Sequence, residues 1–279
     1  MIFSGNATFT AKNQRAIVTM AIGNDYLQRW KRLCQPLWES YASRWDYDLI
    51  VITKPLDRSE RAEKRNPSWQ KCLILDQPWS NQYETIVWVD SDILIRPDSP
   101  EIAESVPAES MGACVVGAQL SWPERQIFLE RIFNTPTTSE TLEATWNRLH
   151  NVQYEINGIQ TKETRILQCG VLVLSPRHHQ AVLQETYAME DRVGNYEQVL
   201  LSRLILEQNK FFELNPRFNW NFFEAVSLHA FWDNAEVLPE ELFSHMVRVQ
   251  YRNAYFLHFA GKGQWMDFIG TQSLSSEEA

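Results

Sequence analysis

The chain has no apolar run approaching the ~20 residues that a membrane-crossing helix needs. Its longest apolar stretches, Ile17 to Ile22 and Val171 to Leu174, have strand length. The start, Met1 to Lys12, lacks a basic stretch followed by an apolar one, so no signal peptide is expected. Cysteine is scarce. Cys34, Cys72, Cys114 and Cys169 lie far apart with no CxxC pair, which excludes a zinc ribbon or a disulfide frame and predicts buried thiols in a reducing compartment. A cytoplasmic location is the expectation. Nor is there a cluster of Lys and Arg; with a net charge of −9, nucleic acid is not an expected partner. The acidic balance leaves an anionic ligand open, because a metal and a few local cations can reverse the field at one site.

Hydrophobic residues make up 44% and charged residues 22% of 279 positions, enough apolar content to bury a core and argue against disorder. Short apolar runs alternate with stretches of helical spacing, the pattern of an α/β domain with a mixed, mostly parallel sheet. Strands are predicted at Ala16 to Ile22, Leu49 to Thr53, Thr85 to Val89, Ala113 to Ala118, Leu167 to Leu174 and Tyr255 to Phe259. Helices are predicted where Leu27, Trp30, Leu33, Leu37, Trp38, Tyr41 and Trp45 recur, and over Trp69 to Leu75, Trp122 to Phe133, Glu140 to Leu149 and Glu197 to Gln208. Pro36 is expected to kink or split the first of these. Without a repeat or a low-complexity linker, residues 13–269 read as one domain. About 13–100 would hold a nucleotide, about 101–269 would shape the sugar and acceptor pockets, and the polar tail 270–279 is expected to be disordered. The pair His178-His179 has no acid nearby and reads as surface.

The chemistry concentrates at Ile86-Val87-Trp88-Val89-Asp90-Ser91-Asp92-Ile93-Leu94-Ile95. Carboxylates at the mouth of an apolar strand are costly unless compensated. One reading is a plain strand-to-loop turn, for which Asp and Ser are well suited. A second is a phosphatase of the haloacid dehalogenase type, but Leu94 stands where that motif wants Thr or Val, and no later Gly-Asp pair exists. A third is a hard-oxygen site for magnesium or manganese against a nucleotide diphosphate.

The neighbouring motifs favour the third. Val18-Thr19-Met20, Asn24-Asp25-Tyr26, Lys71 in Trp69-Gln70-Lys71-Cys72, Asp90-Ser91-Asp92, Gln168-Cys169-Gly170-Val171, Tyr196-Glu197-Gln198 and His258-Phe259-Ala260-Gly261 with Trp265 stand in an order and spacing that resembles glycogenin and the wider family 8 glycosyltransferases. Gln168 replaces the family's Asn, Glu197 replaces its Asp, and Gly261 to Trp265 is one residue shorter than its counterpart.

The resemblance implies a type A nucleotide-diphospho-sugar transferase fold and a retaining hexosyltransferase that uses manganese, or magnesium, and a UDP-sugar donor. The acceptor would be a hydroxyl on a glycan, a protein or a small molecule. Asp90, Asp92 and His258 would be the metal ligands, and Lys71, Gln168 and Glu197 the residues nearest the chemistry. Thr19, Tyr26, Ser91, Gly261, Lys262 and Trp265 would contact the nucleotide sugar. Each has a plainer reading: a packing histidine between Leu257 and Phe259, solvated lysines at 71 and 262, and a first-turn Glu197 favourable to its helix dipole. Two rivals remain: a nucleotidyltransferase of the same fold, though Ile22-Gly23-Asn24-Asp25 is not its Gly-rich basic loop, and a non-catalytic nucleotide-sugar or glycan-binding protein.

Overall fold

A computed structural model describes residues 2–3, 10–190, 196–229 and 239–270. The tail expected to be disordered lies, from residue 271, outside the described residues. Ten strands are assigned among the described residues: β1 (Ile2–Phe3), β2 (Arg15–Met20), β3 (Tyr47–Ile52), β4 (Thr85–Val89), β5 (Ile93–Ile95), β6 (Met111–Val115), β7 (Leu167–Leu174), β8 (Phe211–Glu213), β9 (Trp220–Asn221) and β10 (Phe256–His258). A seven-stranded sheet has the order β1-β3-β2-β4-β7-β6-β8, and β5-β10-β9 form a second, smaller one. In the large sheet only β7 runs against its neighbours; the other described pairs are parallel. The expected mixed, mostly parallel sheet is therefore present.

The strands' period-2 patterning sorts two cores. Ile17, Val51, Val87, Val89, Val171 and Val173 face one side, under the helical segment 24–44. Val18, Ile50, Ile86, Trp88, Leu172 and Leu174 face the other, under segments 67–76, 176–188 and 198–207. Every residue of β7 is buried, as befits a strand covered on both faces.

The first helical stretch is interrupted as Pro36 predicts. A π-helical segment, Trp30–Cys34, separates Asn24–Arg29 from Gln35–Arg44, with Pro36 in the first turn of the latter. Proline has no N–H to donate there, and a widened turn accommodates its ring. Leu142–Ile156 runs past the expected end at Leu149, because Trp146, His150 and Tyr154 continue one buried face at four-residue spacing. The segment carrying Lys71 is a 3₁₀ run, Pro67–Asp76, started by Asn66, whose side chain accepts from the Ser68 N–H. His179 departs from its surface reading. It is buried at the start of Pro176–Ala188, where Nδ1 accepts the Ser175 N–H at 2.8 Å. Burial pushes its pKa down to about 4, so the neutral ring serves as a helix cap.

The sheet order puts a crevice beside β4. The chain moves from β2 outward to β3 on one side, then returns to place β4 on the other. In such sheets ligands bind at the strands' carboxyl ends where the order reverses, and β4 ends at Val89, immediately before Asp90. β5 then pairs with β10 so that Ile93 faces His258, and the Trp38 indole N–H donates to the Ile93 carbonyl at 3.0 Å. Trp38→Phe should remove that bond and part of the contact with Trp30, costing about 1–3 kcal/mol in urea unfolding. An unchanged midpoint would show that β5 is held without it.

Candidate active site

β4 delivers Asp90 and β10 delivers His258 to one point. The Asp90 N–H donates to the Gly170 carbonyl at 2.8 Å, docking the acidic loop on β7. The Asp92 carbonyl accepts the Phe259 N–H at 3.1 Å, and Asp92 Oδ2 accepts the Gly261 N–H at 2.8 Å. Gly261 has φ +81° with open space around its missing Cβ; glycine is required for the backbone conformation, not for room. His258 Nε2 lies 3.4 Å from Asp92 Oδ1 and 3.9 Å from Asp90 Oδ2. One ligand atom from each of the three residues lies within 4.8 Å of the others.

The outer hydrogen bonds orient this cluster. The Asn219 amide N–H donates to the Gln168 carbonyl at 3.3 Å, so its oxygen faces His258 Nδ1, 2.8 Å away. An amide oxygen only accepts, hence Nδ1 carries the proton and Nε2 turns its lone pair toward the two carboxylates. Three electron-rich atoms converge there with a partner fixing the imidazole tautomer, the arrangement expected of a metal-ligand histidine. The donor set, two carboxylates and an imidazole, fits a divalent cation such as manganese. Without one, a proton must serve. Burial opposes the imidazolium, but Asp92 and then Asp90 outweigh it and hold the His258 pKa above its ordinary value. Burial likewise raises Asp90. At Asp92, burial is outweighed by His258 and the Gly261 N–H, and its pKa falls.

Lys71 braces the cluster from the opposite side. Its ammonium lies 3.1 Å from Asp90 Oδ1 and 2.9 Å from Glu197 Oε1, and donates to the Cys169 carbonyl at 2.9 Å. Burial alone would strip its proton; the two carboxylates reverse that and keep it charged. Glu197 also accepts from the Ser68 hydroxyl at 2.7 Å. Lys71 is therefore buried and paired, not solvated as its plainer reading would have it, and Glu197, at the N-cap of Gln198–Glu207, is buried beside it.

A cavity of about 410 Å³ opens on this cluster. Lys71, Asp90, Gln168, Glu197, His258 and Gly261 all line it. The other predicted contacts lie elsewhere. Thr19 is fully buried in β2, Tyr26 is exposed at the start of Asn24–Arg29, and Ser91 is half-buried, its carbonyl accepting from Cys34 Sγ. The Trp265 ring is buried against Phe222 and Phe243, and the Lys262 ammonium sits 5.6 Å over that ring. All four cysteines are free and buried.

Sequence reasoning missed Glu224, Asn219 and His150. Glu224 stands alone in the apolar helix Phe222–His229 and lines the cavity. Its Oε1 accepts the Gly117 N–H and the Gln168 amide, each at 3.3 Å. Burial pushes its pKa up to about 7. A lone acid among Phe, Ala and Val at helical spacing is the signal that could have found it.

No family model and no curated protein matches the chain. Among solved structures it is similar to a glycosyltransferase involved in the glycosylation of the major capsid of PBCV-1, at 13% identity and a TM-score of 0.53 over 91% of this chain and 98% of that one. It is also similar to the bifunctional glycosyltransferase WbbM, at 11% identity and a TM-score of 0.52, where it covers 97% of itself and 51%, about half, of the other. The fold is that of the type A glycosyltransferases. At such identities the likeness extends to the fold alone. No helix among the described residues is long and apolar enough to cross a membrane.

Two outcomes follow from this geometry. A Cβ on Gly170 would lie 2.4 Å from His258 Cε1. Gly170→Ala should therefore displace the imidazole and weaken manganese binding by at least about tenfold, read by calorimetry; unaltered affinity would show that His258 is no ligand. For Glu224 the folded pKa, about 7, exceeds the ordinary 4.5. Its contribution to stability is then lost as pH rises from about 4.5 through 7, and the charge-burial cost is fully present above that. Glu224→Gln removes this dependence, so its stability relative to the parent should grow between pH 4.5 and 8, by at most about 3 kcal/mol. A constant difference across that range in urea titrations would refute it.

Proposed function

We propose that the chain is a metal-dependent glycosyltransferase that moves a hexosyl group from a nucleotide-diphosphate sugar to an acceptor hydroxyl. The observation that carries this reading is the convergence of Asp90, Asp92 and His258 just past the carboxyl end of β4, where Asp90 and His258 line the cavity. A divalent cation bound there, with manganese preferred over magnesium, would supply Lewis-acid stabilisation to the leaving diphosphate. Asp90, Asp92 and the Nε2 lone pair of His258 would hold it. Lys71 keeps Asp90 ionised and oriented, and Glu197 with Ser68 keeps Lys71 in place. Gly261 presents its backbone beside Asp92 at the cavity wall, where phosphate can approach closely. Gln168 faces the sugar.

Uridine as the base, and retention of anomeric configuration by a same-face displacement, rest on the family 8 resemblance. The acceptor is a glycan, a protein or a small molecule with a free hydroxyl. A non-catalytic binding protein of the same fold would bind the donor but never turn it over, so donor consumption separates the two readings.

UDP should bind in the presence of manganese and lose most of its affinity in chelator. Asp92→Asn should abolish that metal-dependent part and lower transfer or donor hydrolysis by roughly a hundredfold or more. Calorimetry with and without manganese, with turnover measured in parallel, checks both. Full activity in chelator would sink the metal role.

A further inference from the structure

Among the described residues, three of those that line the active-site cavity each carry a buried side-chain atom with no protein partner: His150 Nε2, Gln168 Oε1 and Glu224 Oε2. Buried polar atoms are seldom left unmet, and three around one cavity call for a common explanation. His150 Nε2 and Gln168 Oε1 are acceptors, and Glu224 Oε2 accepts when the carboxyl is ionised and donates when it is protonated. His150 Nδ1 lies 2.7 Å from the Thr164 carbonyl, which can only accept, so that nitrogen holds the proton. Burial lowers the pKa of the ring and keeps it neutral, leaving a lone pair at Nε2. The Gln168 amide nitrogen is engaged by Glu224 Oε1, leaving its oxygen. Glu224 Oε1 already takes two donors, leaving Oε2.

The surroundings narrow the ligand. Trp146 and Phe223 line the same cavity and offer apolar faces, as sites for small polar molecules usually do. The one ammonium in the lining, Lys71, is committed to Asp90 and Glu197. Arg125 bonds the Gly117 and Leu120 carbonyls and lines an adjoining cavity that shares Val116, Trp146 and His150 with this one. A ligand here must bring several donors and apolar C–H faces, and finds no uncommitted cation for a carboxylate. The place is also adjacent to the metal cluster: the Gln168 carbonyl accepts from Asn219, whose oxygen faces His258.

We infer that His150, Gln168 and Glu224 form the glycosyl subsite of the donor, accepting hydrogen bonds from its hydroxyls, and that the subsite selects a neutral hexosyl group over a hexuronosyl one. The inference rests on the proposed function and adds two residues, His150 and Glu224, to the binding surface. A hexose donates several hydroxyls to the three acceptors, whereas a uronate places its carboxylate beside Glu224. Where Glu224 is ionised, like charge opposes it, and His150 Nε2 and Gln168 Oε1 offer its carboxylate no donor.

The test compares dissociation constants, with manganese present, for UDP, UDP-glucose, UDP-galactose and UDP-glucuronate. The parent protein should bind at least one UDP-hexose roughly tenfold or more tighter than UDP, and UDP-glucuronate no tighter than UDP. His150→Phe and Glu224→Gln should each lose the hexose increment while keeping the UDP affinity, which also reports that they are folded. An increment that survives both variants, or a uronate bound as tightly as the best hexose, overturns the subsite. Failure of UDP and GDP to bind with any divalent metal would instead sink the proposed function. The subsite is then read with methyl hexosides by ligand-observed NMR: saturation transfer lost in both variants supports it, and transfer unchanged in them overturns it.

Discussion

The active end of the molecule depends on how closely the His258 imidazole can approach β7. That approach is possible only because position 170 has no side chain, since any Cβ would enter the ring. With the ring seated there, Nδ1 meets Asn219 and Nε2 meets the two aspartates. The long-range pairing of β5 with β10 makes the encounter happen, joining residues 93–95 to 256–258 in a fixed register. The acidic loop is thus clamped on both sides: Asp90 by a backbone bond to β7, Asp92 by backbone bonds to Phe259 and Gly261. Little of this loop is left to move, and a preorganised ligand set avoids reorganisation when charge develops on a leaving group.

The second constraint is electrostatic. Asp90, Asp92 and Glu197 crowd one small volume, and such a group is tolerable only with buried compensation. Lys71 neutralises two of them from behind, through a 3₁₀ segment that turns its side chain inward. Asp92 is left to His258. The protein therefore balances the rear of the cluster permanently and leaves the front, toward the cavity, dependent on a proton or a cation. Removing Lys71 would not simply delete a contact; it would leave Glu197 buried without its cation and Asp90 without its rear partner.

Much of this was legible in the sequence, for physical reasons that differ by element. β2, β4 and β7 could be read because apolar runs bounded by polar residues have few other fates, and Thr85–Val89 and Leu167–Leu174 match their predicted bounds. The grouping of Asp90, Asp92 and His258 was readable because the residue types and their order were specific together, although no single motif was. Order alone did not show packing: the Trp265 ring fills a gap between Phe222 and Phe243, since an apolar surface takes whichever burial lies nearest. β5, β8 and β9 span two or three residues, too short for any period to show. Glu224 was marked only by its isolation in an apolar helix. His150 was hidden for another reason: an unmet hydrogen bond leaves no trace in a sequence.

The cavity thus has two ends with opposite demands. Near β4 the wall presents carboxylates and asks for positive charge; near Trp146 it presents neutral and acidic acceptors and asks for hydroxyl donors. The proposed nucleotide-diphosphate sugar with a divalent cation would meet both demands in one molecule, its phosphates at the first and its sugar at the second. Net charge does not oppose this. The protein carries −9 and the donor is anionic, but charges more than about 10 Å away are largely screened at physiological salt. What the donor meets on arrival is set by the few groups within reach. Those groups would turn attractive to phosphate only once a cation sat among them, so in the proposed reaction the acidic loop, repulsive by itself, would become the recognition element through the metal.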